Sequence, residues 1–120
     1  MGNTKESMNR LMEVDGAIGC CLVDSTSGMV LAEAGGAGFN LEVAAAGNTE
    51  VVRAKRRTIK TLDLNDAVED ILITLGRQYH LIRLLPNNDS LFIYFVLDKS
   101  RANLAMSRHV VGDVAKNVSL

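Results

Sequence analysis

Few side chains in this sequence could do chemistry: the adjacent thiols Cys20 and Cys21, the hydroxyls of Ser25-Thr26-Ser27, the imidazoles His80 and His109, and the carboxylates Asp63, Asp66, Glu69 and Asp70. A nucleophilic hydroxyl or thiol needs a base within hydrogen-bond reach. No histidine lies near the hydroxyl cluster in the chain, and neither imidazole has a paired carboxylate or nucleophile in its own segment, so no general base is assigned. A tetrahedral zinc site needs about four ligands, and no CxxC or HxxxH spacing supplies them. The acidic group lacks the alternate-position ligands of a calcium loop. The glycine-rich stretch GGAGFN at residues 35 to 40 lacks the Gly-Lys-Ser/Thr ending of a phosphate-binding loop and reads as a flexible connection. Catalytic, cofactor-binding and metal-binding residues are therefore all expected to be absent.

The strongest charged feature is Lys55-Arg56-Arg57 with Lys60. On a helix Arg53, Arg56, Arg57 and Lys60 share one side, with Glu50 offsetting part of the charge. That stripe is either a solvated face or a surface for an acidic partner.

The elements that must position these residues follow from composition and pattern. The 120 residues, 48% hydrophobic and 22% charged, fit one folded domain over residues 1 to 120. A net charge of -1 provides no global field for nucleic acid. No apolar run approaches the roughly 20 residues that span a bilayer. The N-terminal segment reads as neither a signal peptide nor a myristoylation site, with Glu6 where that signal wants Ser or Thr, so the expected location is the cytoplasm without a membrane anchor.

A first helix is expected over residues 4 to 14, capped by Thr4 or Ser7, with Met8, Leu11 and Met12 on its apolar side. Residues 17 to 24 and 29 to 34 form a hairpin around Ser25-Thr26-Ser27-Gly28, with Gly28 able to take a positive φ. AIGCCLV is small or apolar throughout and must be covered on both faces. Cys20 and Cys21 then serve opposite faces as buried filler, and a disulfide between neighbours would be strained.

Asn40 caps a long helix over residues 41 to 62. Its small or apolar positions are Leu41, Ala44, Ala45, Val51, Val52, Ile59 and Leu62, with Asn48 and Lys55 as polar intruders. Its length, about 33 Å, exceeds what a sheet of short strands needs for cover. Strands at residues 68 to 75, 79 to 85 and 91 to 97 form a meander, the last two joined by the turn Pro86-Asn87-Asn88-Asp89-Ser90. Asp98 or Ser100 caps a final helix over residues 101 to 118. Two central strands apolar on both sides require helices on both faces of one antiparallel sheet. The expected fold is an α/β, three-layer α/β/α sandwich of order αββαβββα with a five-stranded antiparallel sheet.

This element order resembles the profilin-like fold of the Roadblock/dynein light-chain family across residues 7 to 118. The passages that carry the resemblance are the Val-Asp-x-x-x-Gly-x-Val-Leu-Ala hairpin at residues 23 to 32, the long helix after a Gly-rich loop, ILITLGRQYHLIRLL, and Asn-Leu-Ala-x-x-Arg at residues 103 to 108. The resemblance implies a homodimer or heterodimer in which middle helices pair and third strands join edge to edge. Residues placed at that interface are Ala45, Asn48, Val52, Ile71, Ile73 and Leu75. Independently, DILITL is an apolar edge guarded only by Glu69 and Asp70, and such an edge wants a partner.

The resemblance further implies a noncatalytic regulatory or scaffold module for a small Ras-like GTPase, as in bacterial gliding motility and eukaryotic signalling. Arg53, Arg56, Arg57 and Lys60 form the candidate partner surface, with no arginine-finger role carried over. The alternatives are a GTPase-activating regulator, a motor-complex adaptor, and a small-ligand sensor or enzyme using a groove beside Cys20 or His80.

Overall fold

A computed structural model describes residues 2–120, so that Met1 lies outside the described residues. The elements run α1 (Thr4–Leu11), β1 (Ala17–Asp24), β2 (Met29–Gly35), α2 (Leu41–Thr61), β3 (Asp70–Thr74), β4 (Gln78–Leu85), β5 (Asn88–Asp98) and α3 (Leu104–Asn117). The five strands form one antiparallel sheet of order β2-β1-β5-β4-β3. One face is covered by α1 and α3 over Cys20, Leu22, Leu81, Ile93 and Phe95. The other is covered by α2 over Cys21, Val23, Phe92, Tyr94 and Val96. This is the expected three-layer sandwich, and β1 and β5 stand inside it because their side chains are apolar on both faces. Among the described residues no helix is long and apolar enough to cross a membrane.

Several boundaries move, each for a local reason. α1 stops at Leu11 because residues 12 to 16 turn toward β1, with Val14 N–H bonded to Leu11 O and Gly16 at φ +87°. Its N-cap position is Asn3, not Thr4 or Ser7. The turn between β4 and β5 contracts to Pro86-Asn87, and Asn88-Asp89-Ser90 joins β5, where Ser90 O accepts from Ser25 N–H at 2.8 Å and extends the ladder with β1. β3 begins at Asp70 instead of residue 68, since of the residues just before it only Glu69 bonds to β4, its carbonyl accepting from Leu84 N–H. Asp98 caps a turn, accepting from Ser100 N–H and Oγ, and the cap of α3 is Asn103, whose Oδ1 accepts from Met106 N–H at 3.0 Å.

The stretch GGAGFN is a tight connection. Gly36 takes φ +78°, a conformation that disfavours any side chain, and a Cβ there would stand 2.9 Å from Leu41 Cδ1 and push that side chain aside. Asn40 caps α2 as expected, accepting from Val43 N–H at 3.0 Å.

Candidate functional site

The expected apolar positions of α2 divide between two surfaces. Leu41, Ala45, Thr49 and Val52 face the sheet and are fully or almost fully buried, the Thr49 hydroxyl satisfied by Ala45 O at 2.8 Å. Ala44, Asn48, Val51, Lys55 and Leu62 fall about 80° to one side at 100° per residue, on a flank directed toward β4 and β3. Val51 and Leu62 remain 37% and 61% exposed there. The two intruders, Asn48 and Lys55, thus belong to a second helix surface and not to a flaw in the first.

α2 packs chiefly on β1 and β2 and shares a buried cluster with Ile82 and Leu84 of β4, leaving the same side of β3 and the His80 end of β4 only partly covered. Between the α2 flank and β3 lies a groove of about 820 Å³ lined by Val51, Lys55, Ile59, Leu64, Val68 and Ile71. β3 is an unbulged edge in continuous register with β4. Leu84 N–H donates to Glu69 O and Leu75 N–H to Gln78 O, so residues 69, 71, 73 and 75 turn their main chain to β4. The alternation of an antiparallel ladder then points the N–H and C=O of Asp70, Leu72 and Thr74 outward, unpaired. The opposite edge is blunted: β2 bulges at Leu31, between the pairs Leu22/Ala32 and Val23/Val30, Lys5 Nζ donates to Glu33 O at 2.7 Å, and α1 packs against the strand.

Of the six residues expected at an interface, Asn48, Ile71, Ile73 and Leu75 lie on or beside this open face, partly or fully accessible. Ala45 and Val52 are fully buried against the sheet and belong to the core. Val51 and Leu62 take their place on the accessible flank.

The basic stripe also divides. Arg53 donates from Nε and Nη2 to Ser25 O at 3.1 and 2.8 Å, from Nη2 to Thr26 O at 2.8 Å, and pairs with Glu50 at 3.1 Å. Arg56 donates to Asp89 O and, at 3.4 Å, to Ser25 Oγ. These two arginines fasten α2 to the β1–β2 turn and to the start of β5. Arg57 and Lys60 are exposed, and among the described residues neither side chain makes a hydrogen bond or ion pair.

Two polar clusters were not foreseen from the sequence. Asp70, at the start of β3, accepts from Arg83 Nη1 at 3.4 Å and from Arg108 Nε and Nη2 at 3.2 and 2.8 Å, tying the edge strand to β4 and α3. On the opposite face His80 is sandwiched by polar partners: Tyr94 Oη–H donates to Nδ1 at 3.0 Å and Nε2–H donates to Gln78 Oε1 at 2.8 Å. The rings of Phe39 and Tyr94 meet the imidazole edge-on, with centroids 6.1 and 5.4 Å away. Burial lowers the His80 pKa and pushes the Tyr94 hydroxyl up to about 12. Cys20 and Cys21 are fully buried on opposite faces, and burial pushes both thiols up to about 12, leaving no thiolate to react.

The chain matches no protein-family model and no curated protein. Its fold, however, has close counterparts among solved structures. A Roadblock/LC7 domain from Streptomyces avermitilis superposes with a TM-score of 0.81 at 12% identity, covering 93% of this chain and 91% of the other. The fold is that of the Roadblock/LC7 domain. Within this Roadblock fold the chain is also similar to the gliding protein MglB from Thermus thermophilus, with a TM-score of 0.78 at 16% identity over 92% of this chain and 82% of that one. A structure described as MglB with tetrameric arrangement gives 0.78 at 17% identity, over 92% and 81%. The open β3 edge and the α2 flank of the Roadblock fold thus stand on a scaffold whose architecture persists while most of the residues change.

Proposed function

We propose that this chain is a noncatalytic regulatory or scaffold module of the Roadblock family, working as a homodimer in the cytoplasm and binding a small Ras-like GTPase. The observation that carries the reading is the unblunted β3 edge running beside the uncovered flank of α2. A second copy related by a twofold axis would pair the outward N–H and C=O groups of Asp70, Leu72 and Thr74 and cover Val51, Leu62, Ile71 and Ile73. Covering what one chain leaves exposed of these side chains contributes part of the about 1.5–3 kcal/mol of a full burial for each, and together with the paired β3 main chain over two copies this opposes the cost of association. A protein of the same fold described in a tetrameric arrangement supports self-association as a use of this scaffold.

For the GTPase, the available cations of the stripe are Arg57 and Lys60, since Arg53 is committed to the β1–β2 turn and Arg56 to the start of β5. Light scattering at micromolar concentration tests the dimer: twice the chain mass is expected, and a monomer contradicts it. Copurification with a Ras-like GTPase loaded with GTP or GDP tests the partner, with loss of binding expected on Arg57→Glu with Lys60→Glu. A second role in keeping with the resemblance to gliding-motility regulators is activation of that GTPase, which accelerated GTP hydrolysis on adding this chain would assign.

A further inference from the structure

We infer that His80 makes self-association pH-dependent: protonating its imidazole breaks the Tyr94 end of a Gln78–His80–Tyr94 relay beneath the α2 flank and weakens the dimer. This rests on the dimer proposed above and names its regulation. In the neutral relay every group has a partner. Nε2–H donates to Gln78 Oε1, and Nδ1 accepts from the Tyr94 hydroxyl. Asn48, on the α2 flank above, donates to Ala44 O at 2.8 Å and takes no part in the relay. A protonated imidazole donates from both nitrogens. Tyr94 Oη–H would then lose its acceptor, and an unpaired charge would sit between the rings of Phe39 and Tyr94, a state that costs more once a second chain covers the face.

The surroundings offer no compensation. The residues around the relay are Phe39 from the β2–α2 loop, Asn48 from α2, Ile73 from β3, Gln78 from β4, Tyr94 from β5 and Cys21 from β1. The Cys21 thiol is held neutral by burial, Lys55 lies two turns along α2, and among the described residues no carboxylate pairs with His80. His80 stands opposite Ile73 in the ladder and shares the open face, so a second chain closing on that face removes the remaining water from the ring.

The sign follows from linkage. Burial already lowers the His80 pKa in one chain, and association lowers it further, so protons bind preferentially to separated chains. Association is at full strength above the ordinary histidine range and weakens as pH falls through the single-chain pKa, below 6.5. His109, the other histidine, is exposed on α3 across the sheet.

Sedimentation equilibrium at pH 7.5, 6.5 and 5.5 tests this. For wild type and His109→Gln the dimer Kd is expected to rise measurably and progressively from pH 7.5 to 5.5, with a slope that two histidines per dimer limit to about a hundredfold per pH unit. For His80→Gln it is expected to stay nearly constant. In case that variant does not fold, NMR of the His80 ring in wild type supplies a second readout: it should titrate at lower pH in concentrated dimer than in dilute monomer. A pH-independent wild-type dimer, a pH dependence that survives in His80→Gln, or identical ring titrations would overturn the switch alone. A wild-type monomer at pH 7.5 would overturn the dimer and the switch together.

Discussion

Replacing Asp70 with Ala removes one carboxylate from two guanidinium groups at the first residue of the edge strand. The Asp70 side chain is 13% exposed, against 23% for Arg83 and 48% for Arg108. An exposed ion pair contributes about 0.2–1 kcal/mol, whereas hydrogen bonds to buried charges contribute about 1.5–3 kcal/mol. Arg108, half in solvent, is assigned about 1 kcal/mol in spite of its bidentate geometry. Arg83 loses its only carboxylate in a mostly buried position, for about 2 kcal/mol. Asp70→Ala should therefore cost about 3 kcal/mol, or about 10 °C in Tm for a chain of this size. Arg108→Ala should cost about 1 kcal/mol, and adding it to Asp70→Ala should cost almost nothing more. Urea unfolding followed by circular dichroism, at one fixed protein concentration, measures all three. A loss below about 1 kcal/mol for Asp70→Ala, or simple additivity in the double variant, would refute the assignment of this cluster as the tether of β3.

Two further outcomes follow from the same structure. Arg53→Ala should destabilise the chain by about 1–2 kcal/mol through its lost bonds to Ser25 O and Thr26 O, read by urea unfolding, while Arg57→Ala changes stability by less than about 0.5 kcal/mol. Maleimide should leave Cys20 and Cys21 unmodified in native protein and label both in urea, as judged by mass; rapid native labelling of either thiol would contradict their burial.

What was legible in the sequence is what local pattern controls. The β1–β2 hairpin, the doubly covered strands, the Asn40 cap and the element order come from neighbours within a few residues. So does the division of Cys20 and Cys21 between faces, a matter of strand alternation. The site was less legible because long-range contacts determine it. Arg53 meets a carbonyl 28 residues away and Arg108 a carboxylate 38 residues away, and a helical stripe cannot announce either. The split of α2 was hidden for a related reason. Ala44 and Ala45, or Val51 and Val52, satisfy the same three-and-four spacing, and only the position of the sheet decides which member of each pair faces it. His80 offered no signal, since its partners Gln78 and Tyr94 are brought beside it by strand register.

In the proposed dimer, two copies of this chain join through the outward main chain of β3 and the flank of α2. Sedimentation equilibrium at pH 7.5 on wild type, Leu72→Pro and Val51→Glu tests it most directly. Proline at Leu72 removes an N–H that faces away from β4, so it blocks edge pairing while leaving the β3–β4 ladder intact. Wild type should sediment as a dimer and both variants as folded monomers with native circular dichroism. Variants that dimerise as tightly as wild type would contradict pairing through this edge and flank.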